Sequence, residues 1–301
     1  MREKIALPVF SVFCIIIVLS SAAIGGEDFL SVSEYWGRPI QLQIPNSKSQ
    51  TPNSFYPETC GECHKEQHNG WKQSLHSKSV GPGLLGQLMG TDLKSVPKDI
   101  QFAESCYFCH APMAEQSEMQ EARGKRQEEY VKNPSFDNKL KLSGVSCTVC
   151  HLREGKIYGP SKRGGVNGQR SRVKDNHDGF IEKDFFEEAE FCAACHQLDE
   201  GYELNGKLLV NTYREWKESI YGQNNVPCQN CHMPDRQHLW RGIHDREMVL
   251  RGIRIESVQH EKGARLIITN SGVGHYFPTY VTPLVIVKGF MLDKKGKVIQ
   301  G

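Results

Sequence analysis

Ten cysteines and five histidines in this chain of 301 residues repeat one arrangement. It reads Cys60-Gly-Glu-Cys63-His64, Cys106-Tyr-Phe-Cys109-His110, Cys147-Thr-Val-Cys150-His151, Cys192-Ala-Ala-Cys195-His196 and Cys228-Gln-Asn-Cys231-His232. C-x-x-C-H is the attachment signature of c-type haem. Its two thiols form thioethers with the porphyrin edge, and the adjacent histidine reaches the iron as proximal ligand. From the composition alone, chance places roughly 0.02 such motifs in a chain of this length. Zinc sites fit poorly, because each cysteine pair brings one histidine and no fourth ligand at a fixed spacing. Redox dithiols need no histidine beside the second cysteine. The expected cofactors are therefore five covalently bound c-type haems, each with its iron.

A haem iron takes a sixth ligand, and its identity separates an electron conductor from a catalyst. Seven histidines lie outside the motifs: His68, His76, His177, His238, His244, His260 and His275. Methionine is the alternative ligand, but Met113 and Met233 follow their motifs too closely to swing across their own haems. His76 ends a segment that continues from the first motif as a helix, with Trp71 and Leu75 on one face. His238 and His244 flank the short loop Leu239–Ile243 after the last motif, and two histidines so close suggest ligands for two different irons. His275 stands in a glycine-rich loop, Gly272-Val-Gly274-His275, between strand-like runs, and His177 in Lys174-Asp-Asn-His177-Asp-Gly179. His68 follows His64 by one helical turn and reads as a haem-edge or surface residue, and His260 as part of an exposed hairpin. Five distal candidates, His76, His177, His238, His244 and His275, then face five proximal ligands. A chain with every iron closed moves electrons rather than binding substrate.

The elements that position these residues are partly legible. Helices are expected over 65–78, 114–132, 183–197 and 212–221, and the stretch 153–179 reads as loop, with Gly159-Pro160 and Gly164-Gly165 as breakers. Within that loop Lys162, Arg163, Arg170, Arg172 and Lys174 form a basic run suited to haem propionates or an acidic redox partner. From residue 250 the period changes to alternation, with Ile253 and Ile255, then Leu266–Ile268, then Leu284–Val287, then a turn at Asp293–Gly296. The alternation stops at Gly301 just after that turn, which leaves a truncated copy or a sheet completed by a neighbour as the two readings. The expected fold is mainly α with much irregular loop, a multihaem domain built around stacked haems, plus a small C-terminal β module. The divisions are a signal peptide at 1–25, an extended leader at 26–57, the pentahaem domain at 58–249 and the β module at 250–301. Motif spacings of 46, 41, 45 and 36 residues are too uneven, and the segments between too dissimilar, for a solenoid.

Composition agrees with this reading. A formal charge of +2, from 37 basic and 35 acidic residues, carries no nucleic-acid footprint. Only 38% of residues are hydrophobic, so large apolar macrocycles must supply the core that the polypeptide lacks. Arg2 and Lys4, the apolar run Ile5–Leu19 and then Ser20-Ser21-Ala22-Ala23 have the form of an export signal, which directs the chain to the periplasm or outer cell surface. The alternative is an uncleaved anchor, and association with a membrane runs through that segment alone. Cys14 lies inside the apolar run and leaves with it.

Several of these motifs together resemble the cytochrome c-554 family of multihaem cytochromes. They are Cys60-x-x-Cys63-His64 running into Trp71-x-x-Ser74-x-His76, Cys109-His110-Ala111-Pro112, and Gly144-Val145-Ser146-Cys147 through His151 with Gly159-Pro160 following. The tail joins them: Cys231-His232-Met233-Pro234, His238, Gly242, His244-Asp245 and Gly274-His275-Tyr276-Phe277-Pro278-Thr279. The resemblance implies closely stacked haems with bis-histidine ligation, and kinship with hydroxylamine oxidoreductase and the pentahaem nitrite reductases. It supports His76, His238, His244 and His275 as ligands better than His177. The chain departs from the enzymes in having no C-x-x-C-K motif, and in being too short for the larger haem complement of hydroxylamine oxidoreductase. The expected function is electron transfer through bis-histidine haems in a respiratory chain, with redox proteins as donor and acceptor. Two alternatives stand beside it: an oxidoreductase acting on nitrite or hydroxylamine at one five-coordinate haem, and a protomer of a homo-oligomeric cytochrome filament.

Overall fold

The computed structural model describes residues 31–37, 40, 53–122, 129–161, 180–260, 263–280 and 283–300. The chain divides into Met1–Ser31 and Val32–Gly301, and every element below lies in the second unit. The signal segment, the basic run 162–174 and His177 fall outside the described residues.

Short helices joined by irregular chain dominate. They are α1 (Val32–Tyr35), α2 (Pro57–Cys63), α3 (Lys65–Gln73), α4 (Pro82–Gln87), α5 (Pro97–His110) and α6 (Asn138–Leu142). After them come α7 (Cys147–His151), α8 (Ala189–His196), α9 (Thr212–Glu218), α10 (Ile220–Gln223), α11 (Cys228–His232) and α12 (Arg246–Gly252). Each of the five motifs lies in one of these helices or at its end. The reason is geometric: residues i, i+3 and i+4 share a helix face, so C-x-x-C-H aims both thiols and the imidazole at one porphyrin. Proline opens α2, α4 and α5 at a position where its missing N–H costs nothing.

The expected helix over 114–132 does not form among the described residues of that span. A single 3₁₀ turn, Ala114–Gln116, leads into strands β1 (Met119–Glu121) and β2 (Tyr130–Lys132), paired antiparallel from Met119↔Lys132 to Glu121↔Tyr130. Side chains there compete with helical bonding. The wholly buried Gln116 accepts from the Met113 N–H at 3.0 Å and donates to Leu140 O at 2.9 Å and Gly144 O at 2.8 Å. Ser117 Oγ donates to Met119 O at 2.7 Å. The expected helix over 212–221 breaks at Ser219, whose Oγ accepts from the Tyr221 and Gly222 N–H groups and restarts the chain as α10. Helices α4, α5 and α12 carry no clear apolar period in the sequence, and α5, at 14 residues, is the longest described. The expected loop 153–179 is partly a sheet, since β3 (Leu152–Arg153), β4 (Lys156–Gly159) and β5 (Ile181–Glu182) pair in that order.

Two apolar clusters carry the described interior. Val80, Leu84 and Leu88 pack with Ala103, Tyr107 and Ala111 along α4 and α5. The second is aromatic, with Tyr35 and Trp36 inserted among Tyr158, Phe185, Phe186 and Phe191. Arg153 lies 4.1 Å over the Tyr35 ring and donates through Nε to Tyr35 O at 2.7 Å, while Tyr35 OH donates to Cys150 O at 2.6 Å. Tyr35, within the expected leader 26–57, is thereby pinned against the third motif.

A short hairpin, β6 (Glu203–Leu204) with β7 (Lys207–Leu208), precedes α9. Strands β8 (Ile253–His260) and β9 (Gly263–Asn270) form an eight-residue antiparallel hairpin, from Ile253↔Asn270 to His260↔Gly263. Strands β10 (Met291–Leu292) and β11 (Val298–Gln300) pair across the Asp293–Gly296 turn. The expected strand Leu284–Val287 does not form; these residues lie outside any strand and are exposed, with Leu284 at 82%. A run of apolar residues makes a strand only where a ladder partner meets it.

Gln116 ties the 113–116 turn to the 140–144 turn, so Gln116→Ala leaves Gly144 O and the Met113 N–H buried without these partners, while Leu140 O keeps its bonds from Ser143. The expected cost is about 1–3 kcal/mol, read as a lower urea midpoint for the haem-loaded protein at unchanged haem content.

Candidate haem sites

The ten motif cysteines form no disulfide, and among the described residues no group of three His, Cys, Asp or Glu side chains is arranged to hold a bare metal ion. What the fold assembles instead is pairs of imidazoles. His76 and His196 have ring centres 6.2 Å apart, His151 and His238 6.2 Å, and His232 and His275 6.1 Å. Two imidazoles bonded to one metal at about 2.0 Å each place their ring centres about 6.3 Å apart. All three pairs have that separation, and each joins one motif histidine to one of the distal candidates. The residues present therefore fit haem iron held between two histidines.

The partners come from distant parts of the chain. Helix α3 follows the first motif but delivers His76 to the fourth motif's His196. His238, in the loop after α11, faces His151 of the third motif, and His275, beyond the β8–β9 hairpin, faces His232 of the fifth. His244 is exposed in the 242–245 turn, near His232. His68 packs against the first motif, where a Cβ on Gly61 would lie 2.6 Å from its ring, and near Trp71. His260 is exposed at the hairpin end.

Most of these imidazoles are held at Nδ1 by a backbone carbonyl. His110 bonds Ser79 O, His151 Tyr158 O, His238 Arg236 O and His275 Tyr276 O, each at 2.8 Å. His232 bonds Arg241 O in the same way. With Nδ1–H donating, the tautomer is fixed and the Nε2 lone pair is left for iron. His76 differs, because its Nδ1 is buried without a hydrogen-bond partner. Desolvation, reinforced by neighbouring imidazoles, pushes His76 down to about 3 and His151 to about 4. Both rings are therefore neutral at pH 7, the form that binds metal.

The motif sulfurs, which stand in for the thioether sulfurs of attached haem, show which motifs are adjacent. Cys60 lies beside Cys147, and Cys192 beside Cys228, so the first motif meets the third and the fourth meets the fifth. Cys150 lies close enough to raise the Cys192 thiol electrostatically, which sets the third motif beside the fourth. The turn 76–79 links the second and fourth: Ser79 O takes His110 Nδ1, Ser79 Oγ donates to His110 O at 2.7 Å, and the Ser79 N–H returns to His76 O. Gly144, at φ +60°, makes room for this turn, since a Cβ there would lie 2.3 Å from Ser79 Oγ and 2.7 Å from His76 O.

The distal loop after α11 is strained and clamped. Asp235, Arg236 and Trp240 occupy left-handed backbone at φ 54°, 61° and 41°, at a cost of about 1–3 kcal/mol for each such residue. The Arg236 fork closes on Glu187 at 2.9 and 2.8 Å and also donates to Ser161 O at 2.8 Å. Arg241 bridges Asp245 and Glu247. Gly70 in α3 lets the loop approach, since a Cβ there would lie 3.0 Å from the His238 carbonyl carbon. The His275 loop has its own anchor in the buried Glu215, whose Oε2 accepts from the Tyr276 N–H at 3.0 Å and from Thr279 Oγ1 at 2.6 Å. Sequence reading overlooked Glu215, Ser79, Gly70 and Trp240; they stand outside every motif, and nothing in their spacing marks them.

Residues 59–152 match the family described as Cytochrome c554 and c-prime. The chain is 28% identical over 153 residues to cytochrome c-554 of Nitrosomonas europaea, a match covering 49% of this chain and 59% of that protein. Its fold is similar to the crystal structure of a penta-heme cytochrome c552 from Thermochromatium tepidum, at a TM-score of 0.51 and 20% identity. That likeness covers 81% of this chain and 72% of the other.

Glu215→Ala removes the acceptor of two hydrogen bonds to the His275 loop. The expected loss is about 1–3 kcal/mol in urea unfolding of the haem-loaded protein, with a new high-spin fraction in its ferric absorption spectrum.

Proposed function

We propose that this chain is a multihaem c-type cytochrome of the cytochrome c-554 kind and a pentahaem electron conductor working outside the cytoplasm, with redox proteins as donor and acceptor. The observation that carries this reading is the set of three imidazole pairs at 6.1–6.2 Å, each spaced for an iron between them. When bound, each haem supplies a one-electron ferric–ferrous couple. Histidines 64, 110, 151, 196 and 232 serve as proximal ligands. His76 completes the site of His196, His238 that of His151 and His275 that of His232. His177 and His244 are left for the sites of His64 and His110. With two histidines holding each iron, the chain would leave no open position for a small molecule.

The electron path follows the adjacency of the motifs. The neighbouring pairs Cys60–Cys147 and Cys192–Cys228, joined by the closeness of Cys150 to Cys192, favour the order first, third, fourth, fifth. The Ser79 turn between His110 and His76 brings in the second motif at the fourth. Export is supported by Arg2, Lys4, the apolar run Ile5–Leu19 and the small residues after it.

Purified ferric protein should carry five haems by pyridine haemochrome assay and be wholly low-spin, with no spectral change on adding nitrite or cyanide. A high-spin fraction that shifts with either anion replaces the conductor with a nitrite- or hydroxylamine-type enzyme. His275→Ala and His76→Ala should each turn one haem high-spin, while His260→Ala leaves the spectrum unchanged; fully low-spin histidine variants would refute the pairing.

A further inference from the structure

Among the three imidazole pairs one stands apart in geometry. The rings of His232 and His275 are 11° from parallel and those of His151 and His238 31°, but His76 and His196 stand at 71°. His76 also lacks the Nδ1 tether to a backbone carbonyl that fixes His110, His151, His232, His238 and His275. Its ring plane must then be set by packing. The residue in place to do so is Trp240, whose ring meets His76 at 4.6 Å and 84°, the edge-to-face contact favoured by aromatic quadrupoles. The same indole meets His238 at 5.1 Å and 85°. His238 is anchored through Nδ1 to Arg236 O, so it offers the indole a fixed wall, and the rotor that remains is His76. The backbone of Trp240 is held at φ 41°, which a bulky residue adopts only when its surroundings impose it, and strain of this kind gathers at functional sites.

We propose that Trp240 is a positioning residue that holds the His76 ring nearly perpendicular to that of His196, and so gives the fourth-motif haem an electronic structure unlike that of its neighbours. The inference rests on His76 and His196 being an axial pair. Each imidazole raises the iron d orbital that overlaps its π system. Parallel rings raise the same orbital and split the pair; perpendicular rings raise one each and leave them nearly degenerate. Near-degeneracy leaves more orbital angular momentum on ferric iron and moves the largest g value upward. A second-shell group that turns one ring thereby tunes the metal without touching it.

The test is low-temperature electron paramagnetic resonance of the ferric haem-loaded protein, comparing wild type with Trp240→Phe and Trp240→Leu at matched haem content. Wild type should show one low-spin component of unusually large maximal g beside components typical of near-parallel rings. Trp240→Leu keeps apolar volume but has no ring edge, and should remove more than half of the large-g component from its original position. Trp240→Phe, too small to span from His238 to His76, should shift it by less. The near-parallel component of His232 and His275 should stay in place in both. If wild type has no large-g low-spin component, the His76–His196 assignment fails. If the component is present and unmoved in both variants, Trp240 does not position the ring. Should Trp240→Leu fail to load its haems, Trp240→Phe decides alone, and an unmoved component in it overturns the proposal.

Discussion

An imidazole pair spaced for an iron brings two ring centres to 6.1–6.2 Å, and among the described residues each of the three such pairs draws its rings from different segments. That pairing organises the molecule. A C-x-x-C-H motif is a local object that fits in one turn of helix and aims at a porphyrin by helical geometry alone. In the three pairs the opposing histidine is not local: α3, the loop after α11 and the loop beyond the β8–β9 hairpin each reach across to a motif elsewhere in the sequence. Haem iron held by these pairs would make ligation free energy part of folding free energy.

Holding the partners in register takes polar fixtures more than apolar volume. Backbone carbonyls of Ser79, Tyr158, Arg241, Arg236 and Tyr276 fix five imidazoles by their Nδ1 atoms. Gln116, with three buried hydrogen bonds, joins the second motif's flank to the 140–144 turn, and Glu215 holds the loop of His275. Such groups stabilise little net when satisfied and cost much when one partner is removed, so they define geometry sharply. Gly144 and Gly70 belong to the same scheme, since each opens a space where chain segments bearing histidines come within contact of one another.

Strain is concentrated in the loop that serves two sites at once. Between Asp235 and Trp240 three residues without glycine's freedom adopt left-handed backbone, and the loop presents His238 to one motif's histidine and Trp240 to His76, which faces another. The bidentate Arg236–Glu187 pair and the Arg241 bridges surround this segment. Arginine suits that role because its planar fork locks orientation as well as charge.

By itself the sequence determined the chemistry: five thiol pairs each followed by histidine admit covalent haem and little else, because the thioether and the proximal bond both need that spacing. It also marked His76, His238 and His275 as ligand candidates, because surplus histidines in a haem chain are few and each stood beside a recognisable element. The helix expected over 114–132 was misread because Gln116 and Ser117 spend their side chains on backbone groups beyond the reach of any local pattern. Only the tertiary structure decided which histidine faces which motif, which motifs adjoin, and how each ring is turned. Those are relations between remote segments, set by carbonyl tethers, close-approach glycines and one strained tryptophan, and a linear chain contains no distance between them.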